Sequence, residues 1–400
     1  MNNKLNDRLK SDYEDIINYL EKNDYHIEEI PSIRDAVKKT GNAFSIAYAI
    51  QGVLKYHGLI DKENRIPYFS SISFNNGSVF TLTYLDFNET LDEDKYFLNG
   101  ELLISEGFER VKKALDFFRE FANINSRALL ISRNFIDGCK ILNFGKGLGT
   151  SASGSAALAI AAISILYNNN NNFIKNRRFI SIFSRYLSGS GARSATGGFS
   201  LWLSHPTIDP NDCFSIRLDK KEHRSFIDEI SLITIPIYSD IKTGQAHEIA
   251  PQSPFFKTWL KSRKNKIIEF IEALKERDFD KIGELSEYDT LCLHSITMTG
   301  PLSKSFIAWS PETLKLMHYI KKLREKEFKV YFSIDTGPSV VLLTLNNQVD
   351  EIIKKIINKF PTLFLIKGKI GGSAKILSEN DPILYIFKKE VEKIKKEYIK

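Results

Sequence analysis

The stretch 143–155 combines glycines with hydroxyl side chains, a composition suited to binding a phosphate. Its candidate anion-binding residues are Gly145, Gly147, Gly149, Thr150, Ser151 and Ser153. Glycines let backbone N–H groups turn toward an anion, and a helix N-terminus adds the positive end of its dipole. The apolar run from Ala156 to Leu166 predicts a buried helix that fixes this loop. A helix cap with a glycine-rich lead-in would explain the same residues, and the pattern is neither a Walker A loop nor in a clear Rossmann context.

Three charged side chains elsewhere could act on an anionic substrate. Arg193 lies in the Gly- and Ser-rich stretch 188–199, and its guanidinium can hold an anion in a bidentate manner. Lys55 follows the apolar run 44–54, and Asp335 lies in Asp-Thr-Gly-Pro between two apolar runs. Taken alone, each has an ordinary explanation: a mobile loop, a solvated lysine at a strand end, and an aspartate that suits a turn.

The order of these motifs, with Lys-Tyr-His-Gly at 55–58, resembles the mevalonate diphosphate decarboxylase branch of the GHMP kinase superfamily. The resemblance runs from about Ala47 to about Ala374. Ser-Gly-Ser-x-x-Arg-Ser-x-x-Gly-Gly-Phe at 188–199 and Asp-x-Gly-Pro at 335–338 are specific to that branch. It implies an α+β fold of two lobes and a homodimer. The first lobe would have the ribosomal-protein-S5-like domain 2 fold, and the second would be a ferredoxin-like sandwich.

The resemblance also implies a reaction, in which a carboxylate and a neighbouring phosphorylated tertiary oxygen leave together and an alkene remains. Such a site needs a guanidinium for the carboxylate, cations for the departing phosphate, and an anion near the developing carbocation. By resemblance these catalytic roles belong to Arg193, Lys55 and Asp335. Asp335 could also act as a base if phosphorylation occurs here. The residues expected to bind the phosphorylated mevalonate substrate are Tyr56, Lys146, Gly147, Ser151, Ser153, Ser188, Ser190 and Ser194.

The chain departs from the family pattern at the phosphate loop and near Lys55. His57 stands where an aromatic residue is usual, and Leu59 stands where a second basic residue is usual. Between Asn-Phe and Gly-Leu of the loop only Gly145 and Lys146 remain, two residues fewer than the Pro-Thr-Ala-Ala of ATP-using members. A loop that wraps a triphosphate cannot lose two residues without moving several N–H donors by angstroms.

Lys146 would place a positive charge close to the transferable phosphate. These features predict a site that uses no cofactor and receives a phosphate already attached to the substrate. In this the chain resembles the archaeal bisphosphomevalonate decarboxylases, which convert mevalonate 3,5-bisphosphate to isopentenyl phosphate, carbon dioxide and phosphate.

Two other functions remain open at this point. One is an ATP-dependent decarboxylase of mevalonate 5-diphosphate or 5-phosphate, and the other is a catalytically silent GHMP-fold binding protein. Retention of Lys55, Arg193 and Asp335 weighs against the silent protein. Asp335 also weighs against a mevalonate 3-kinase, which would be expected to lack it. No residue that we can place distinguishes a 5-phosphate from a 5-diphosphate.

Composition favours an ordinary globular enzyme. The chain has 400 residues, enough for two domains, with 42% hydrophobic and 26% charged residues and a net charge of +7. Lysines are scattered among glutamates along helices, which argues against a nucleic-acid partner. The polar start and the lack of a run long enough to span a bilayer predict a cytoplasmic protein without membrane contact. Three distant cysteines and seven histidines without ligand spacing predict neither disulfides nor a metal site.

The predicted domains are a helical extension at 1–40, an N-terminal GHMP domain at 41–210 and a C-terminal GHMP domain at 211–400. Ser11 to Glu14 has the form of a capping box and predicts that the extension helix begins there. Asn75-Asn76-Gly77 predicts a turn between strands at 70–73 and 79–87. The second half alternates strands with helices, as an α+β sandwich would.

Overall fold

The computed structural model describes residues 3–32, 36–104, 106–136, 140–141 and 148–398. The helices are α1 (Asn3–Lys22), α2 (Glu106–Ala122), α3 (Thr150–Leu166), α4 (Asn171–Ile174), α5 (Arg177–Leu187), α6 (Gly191–Thr196), α7 (Arg224–Glu229), α8 (Thr243–Ile249), α9 (Phe256–Glu276), α10 (Phe279–Met298), α11 (Pro311–Arg324), α12 (Val349–Lys359) and α13 (Tyr385–Tyr398). The strands are β1 (Gly41–Leu54), β2 (Leu59–Asp61), β3 (Ile66–Pro67), β4 (Ser71–Asn88), β5 (Lys95–Leu98), β6 (Glu101–Leu102), β7 (Arg127–Ile136), β8 (Lys140–Ile141), β9 (Phe199–Trp202), β10 (Ser215–Arg217), β11 (Ile230–Ile235), β12 (Val330–Ser333), β13 (Val340–Leu345), β14 (Ile366–Lys369) and β15 (Lys375–Leu377). None of the helices in these ranges is long and apolar enough to cross a membrane.

The first lobe is built on a large sheet with the buried helix α3 packed against it. The sheet runs β10-β9-β4-β7-β5-β6, with β1 paired to β4 and β15, and β8 paired to β7. β1 and β4 form a long antiparallel ladder from Gly41 opposite Phe87 to Leu54 opposite Ile72. α3 is buried nearly all round from Ala152 onward, so the apolar run predicted it correctly.

The second lobe is an antiparallel sheet in the order β12-β13-β11-β14, with helices on both faces. Along the chain the pattern is strand, helices, two strands, helix and strand, which is the ferredoxin-like arrangement. α11 and α12 cover one face with residues such as Leu316 and Ile352. The predicted α+β two-lobed fold is therefore confirmed.

One apolar cluster continues from the first lobe into the second. It includes Leu9 of α1, Val53 of β1, Phe199 of β9, Phe270 of α9 and Leu232 of β11. The end of β1, directly before the candidate Lys55, lies within this shared core. The cluster therefore positions groups from both lobes relative to each other.

The first helix begins earlier than the sequence pattern predicted. α1 starts at Asn3, and Ser11 is an exposed residue in its middle, so the capping-box prediction is wrong. The reason is that Leu5 and Leu9 extend the buried stripe of Ile16 and Leu20 toward the N-terminus. This stripe packs α1 against α9.

The turn predicted at Asn75-Asn76-Gly77 is also wrong, because β4 continues through it. The ladder shifts register there, with Tyr48 opposite Phe80 and Ala49 opposite Asn76. The Asn75 side chain is buried and donates to the carbonyls of Ser194 and Gly372 at 2.9 and 2.8 Å. Its partners are distant in sequence, so tertiary contacts replace the local turn that asparagine and glycine usually make.

The C-terminal segment returns to the first lobe. β15 pairs with β1, with Phe44 opposite Leu377, and α13 packs Phe387 and Val391 against the outer face of the first sheet. The predicted boundary between residues 210 and 211 stays a prediction. Within it, the segment 375–398 was assigned to the second domain but packs on the first sheet.

Candidate active site

Asp335 lies in the loop after β12 and meets the end of β1 from the other lobe. The Gly52 N–H donates to both Asp335 carboxylate oxygens, at 3.1 Å and 3.3 Å. Nearby, Gln51 Nε2 donates to Ser333 Oγ at 2.8 Å, and Ser333 Oγ donates to the Gly52 carbonyl at 2.6 Å. A Cβ on Gly52 would lie 2.9 Å from Asp335 Oδ1 and 2.6 Å from Lys55 Cγ. Glycine at 52 therefore allows the carboxylate and the lysine to approach the strand end.

Lys55 is held from the second lobe, although it belongs to the first. Its side chain is 4% exposed, and its Nζ donates to Thr290 Oγ1 at 3.0 Å. The Lys55 N–H donates to Asp289 Oδ2 at 2.6 Å, and Arg263 Nη2 donates to the Lys55 carbonyl at 2.8 Å. Arg263 and Asp289 also form a buried ion pair with each other. Helices α9 and α10 thus fix the lysine through its backbone.

The sequence analysis missed Arg263 and Asp289. Arg263 occupies a position in the buried stripe of α9, between Leu260 and Ile267 at helical spacing. A charged residue inside an apolar stripe needs a partner of opposite charge, and this pattern could have identified Arg263 from the sequence. No comparable sequence pattern singles out Asp289 on α10.

Arg193 projects from α6 into a polar cluster of the first lobe. It is 2% exposed, and its guanidinium donates to Ser71 Oγ at 3.0 Å and to Ser190 Oγ at 3.5 Å. Tyr56 Oη lies 3.3 Å from Ser190 Oγ, and the Tyr56 ring centroid is 5.3 Å from the Arg193 guanidinium carbon. The Arg193 Nε is buried and lacks a hydrogen-bond partner among the described residues. Tyr56, Ser190 and Arg193 therefore lie together, with donor capacity left for an anion.

The three charged groups belong to one electrostatic environment. Burial raises the pKa of Asp335, and the positive charges of Lys55 and Arg193 oppose this. Burial lowers the pKa of Lys55, opposed by the carboxylates of Asp289 and Asp335. Burial likewise lowers the pKa of Arg193, against the influence of Tyr56 and Asp335. Charges removed from water in this way interact strongly with a bound substrate.

Neutral histidines lie beside these charged groups. Burial lowers the pKa of His247 to about 4 and that of His294 to about 3, and it holds the pKa of His57 well below 6.5. His57 Nε2 lies 3.2 Å from Thr336 Oγ1, and His247 Nδ1 accepts from the Gly58 N–H at 3.1 Å. His57 therefore joins the loop that carries Asp335, which explains why a polar ring can replace the usual aromatic residue.

Two predicted substrate contacts, Ser153 and Ser194, are buried inside the first lobe. Ser153 Oγ lies 2.6 Å from Thr81 Oγ1 and donates to the Thr150 carbonyl at 3.0 Å. Ser194 Oγ donates to the Tyr48 carbonyl at 2.6 Å. Because these hydroxyls already serve internal partners, we assign them to holding α3 and α6 in place. Direct contact with substrate is not supported for either.

The remaining predicted contacts lie in different surroundings. Ser188 is buried at the end of α5, two residues before Ser190, whereas Ser151 is exposed in the first turn of α3. Lys146 and Gly147 lie outside the described residues. In the part of the chain that is described, no group of three His, Cys, Asp or Glu side chains is arranged to hold a metal ion.

Sequence comparison identifies the family. A diphosphomevalonate decarboxylase-like N-terminal domain matches residues 47–215, and a mevalonate 5-diphosphate decarboxylase C-terminal domain matches residues 248–396. The chain belongs to the diphosphomevalonate decarboxylase family. This decarboxylase is 33% identical to a phosphomevalonate decarboxylase of Haloferax volcanii, over 84% of this chain and 98% of the relative. It is 30% identical to a mevalonate 3,5-bisphosphate decarboxylase of Thermoplasma acidophilum, over 86% and 80% of the two chains.

A solved structure is also similar to this decarboxylase. The mevalonate diphosphate decarboxylase of Enterococcus faecalis superposes with a TM-score of 0.74 at 26% identity, over 85% of this chain and 99% of that one. The predicted branch, the GHMP fold and decarboxylase activity on a phosphorylated mevalonate are confirmed at this level.

Proposed function

We propose that this enzyme decarboxylates mevalonate 3,5-bisphosphate without ATP, releasing isopentenyl phosphate, carbon dioxide and phosphate. The observation that carries the proposal is the phosphate loop, in which Gly145 and Lys146 replace the longer segment of ATP-using members. The 30% identity with the Thermoplasma acidophilum mevalonate 3,5-bisphosphate decarboxylase supports it. A loop of this length has too few backbone donors to surround a triphosphate as those members do.

The charged groups suit the elimination. The bond from the tertiary carbon to the 3-phosphate oxygen breaks, and its electron pair leaves with the phosphate. Lys55 Nζ donates one hydrogen bond to Thr290 Oγ1 and has two more N–H groups for that phosphate. Asp335 supplies negative charge to the developing carbocation, since the Gly52 N–H fixes its position.

Arg193 would hold the substrate carboxylate through its unpartnered Nε and the remaining N–H bonds of its fork. The electron pair of the bond to this carboxylate then forms the alkene, and carbon dioxide leaves. No proton has to be removed along this route, so the bisphosphate needs no general base.

A second candidate is the ATP-dependent decarboxylation of mevalonate 5-phosphate. The 33% identity with the Haloferax volcanii phosphomevalonate decarboxylase favours it. In that reaction Asp335 would remove the proton of the tertiary hydroxyl before phosphorylation. Burial raises the pKa of Asp335, which makes its carboxylate a better base.

One assay separates the two candidates. The protein is incubated with mevalonate 3,5-bisphosphate alone, and separately with mevalonate 5-phosphate or 5-diphosphate with and without magnesium ATP, while carbon dioxide is measured. Release from the bisphosphate without nucleotide is the expected result. Release only from a 5-phosphorylated mevalonate with ATP would replace this proposal by the ATP-dependent enzyme. No release in any arm would contradict both candidates. Asp335→Asn is measured in every arm, with turnover expected to be at least about a hundredfold lower.

The homodimer implied by the resemblance is part of this proposal and stays a prediction. Light scattering tests it directly, because the chain has a mass of 45.8 kDa. A single species of that mass at micromolar concentration would contradict the dimer.

A further inference from the structure

A cationic cavity lies apart from the candidate active site. It has a volume of about 650 Å³, and Lys55, Arg193 and Asp335 are not among its lining residues. One wall comes from residues 24–28, which follow α1, and the others come from the start of α5, from β10 and from residues 219–224. Residues 24–28 precede the family match that begins at residue 47, so this cavity is not a feature of the shared domain alone.

Positive charge dominates the lining. Its cations are Arg177, Arg178, Arg217, Lys220, Lys221 and Arg224. Against these six the lining offers three carboxylates, on Asp24, Glu28 and Asp219. A cavity with such an excess of cations concentrates anions.

Local contacts fix the walls. Tyr25 Oη donates to the Leu218 carbonyl at 3.0 Å, and Lys220 Nζ donates to the Asn23 carbonyl at 2.7 Å. The Glu28 carboxylate accepts the backbone N–H groups of Arg177 and Arg178 at 2.5 and 3.1 Å. Glu28 therefore caps α5, and the helix terminus is already occupied.

Several of the cations lack a carboxylate partner. Three of them form ion pairs, Arg178 with Asp212, Arg217 with Asp219 and Arg224 with Asp228, at 2.8, 2.6 and 3.1 Å. The side chains of Arg177, Lys220 and Lys221 form no ion pair with a carboxylate of the described residues. The Arg177 guanidinium donates to the Ala374 carbonyl at 3.0 Å. Burial lowers the pKa of Arg177, Glu28 opposes this, and the neighbouring positive charge of Arg217 lowers it further. The lining therefore has three cationic side chains without an ion-pair partner among the described residues, and a bound anion would supply one.

We propose that this cavity binds the phosphate or diphosphate group of a small organic molecule. Guanidinium and ammonium groups from several directions are the usual donors to phosphoryl oxygens. The volume exceeds that of a phosphate group and lies in the range of small-molecule sites. Tyr25 and Ile216 in the lining offer apolar surface for the rest of the molecule.

Calorimetry with inorganic diphosphate, at fixed ionic strength, tests the proposal. The titration is done in an Arg193→Gln background, so that binding at the candidate active site is weakened. We expect one diphosphate to bind, and Lys221→Glu to weaken it at least about tenfold, since a cation facing the anion becomes a repelling charge. Lys354→Glu, at an exposed position of α12, makes the same change of net charge elsewhere and should leave the affinity unchanged.

Arg177→Gln is a second variant, and circular dichroism checks that both variants keep the fold. Weaker binding in both variants supports the site. Absence of diphosphate binding at millimolar concentration, or isotherms unchanged by both variants, would overturn it. The result is independent of the proposed reaction, because failure to decarboxylate the bisphosphate would leave this isotherm as it is.

Discussion

At the candidate active site, a carboxylate of the second lobe accepts a hydrogen bond from a backbone N–H of the first lobe. Asp335 is fixed by Gly52, and the cations Lys55 and Arg193 influence its pKa without replacing that contact. Contacts within the protein therefore set the positions of Asp335 and Lys55 before substrate binds. Preorganised charges of this kind contribute most when charge develops in the transition state.

Asp335→Asn should lower kcat at least about a hundredfold, because it removes the negative charge while keeping the shape. KM should stay unchanged or fall, since a carboxylate repels an anionic substrate in the ground state. Steady-state kinetics measures both. Asp350→Asn, on the exposed start of α12, is the matched control. Turnover within a few-fold of the parent would mean that Asp335 serves only the turn.

Lys55→Met should mainly lower kcat, because the departing phosphate loses a nearby cation. The side chain is buried, and methionine of similar length should fit the same space.

Arg193→Lys should instead raise KM and lower kcat together, because lysine cannot present a fork to a carboxylate. Equal effects of the two substitutions on KM would contradict these separate roles.

Because the buried histidines His247 and His294 are neutral in the folded protein, the free energy of unfolding should decrease as the pH falls. His294 has a folded pKa of about 3 and an ordinary value of 6.5, so the unfolded state binds more protons between these limits. The free energy of unfolding therefore rises with pH through this window and is lost as pH falls from 6.5 toward 3. The slope for one such group approaches about 1.4 kcal/mol per pH unit. His247 adds in the same direction down to about pH 4.

Thermal unfolding from pH 7.5 to pH 5 measures this slope. His294→Asn should flatten it, because the group that titrates differently in the two states is gone. His318→Asn, at an exposed position of α11, controls for the loss of one histidine. Identical slopes in the parent and in His294→Asn would contradict the assignment.

Among the elements, the end of β1 leaves no room for a side chain at Gly52. Gly52→Ala should lower kcat at least about tenfold, because the new Cβ would lie closer than 3.0 Å to both Asp335 Oδ1 and Lys55 Cγ. The free energy of unfolding should fall by roughly 1–3 kcal/mol, the usual cost of overpacking. Gly372→Ala is the control, since a Cβ there meets nothing within 4 Å. An unchanged kcat in Gly52→Ala would show that the strand end can give way.

Sequence patterns predicted elements well where the pattern was local. The strand Val340–Leu345 and the helix Val349–Lys359 lie where the sequence analysis placed strands and helices, since their periodicity is uninterrupted. The turn predicted at Asn75 to Gly77 was wrong, because the Asn75 side chain bonds to backbone carbonyls that are distant in sequence.

The candidate site shows the same limit. Motifs identified Lys55, Arg193 and Asp335, but the contacts of Asp289 and Arg263 come from helices more than 200 residues after Lys55 and carry no motif. Ser153 was chosen for its place in a glycine-rich stretch, whereas its environment is set by Thr81 on β4. Residue type can be read from sequence, but whether a hydroxyl faces a ligand or a neighbour depends on packing.

At the scale of the molecule, the two lobes share one apolar core. Leu54 of β1, Phe199 of β9, Leu232 of β11 and Leu293 of α10 belong to the same cluster. We expect a single unfolding transition, because exposing either lobe also exposes the apolar surface of the other. Differential scanning calorimetry should give equal calorimetric and van't Hoff enthalpies. Two resolved transitions would show that the lobes unfold separately.

The pairing of β1 with β15 has a consequence for synthesis on the ribosome. β1 begins at Gly41, but β15, one of its two neighbours in the sheet, begins at Lys375, and the helix that covers the outer face of this sheet ends at Tyr398. At about 5–20 residues per second, the ribosome needs roughly 10–40 s to synthesise the chain from the end of β10 to the end of α13, and the outer face stays uncovered during this time. During this interval Phe44, Leu82 and their neighbours are exposed to water, and a nascent chain in this state is a natural client for chaperones.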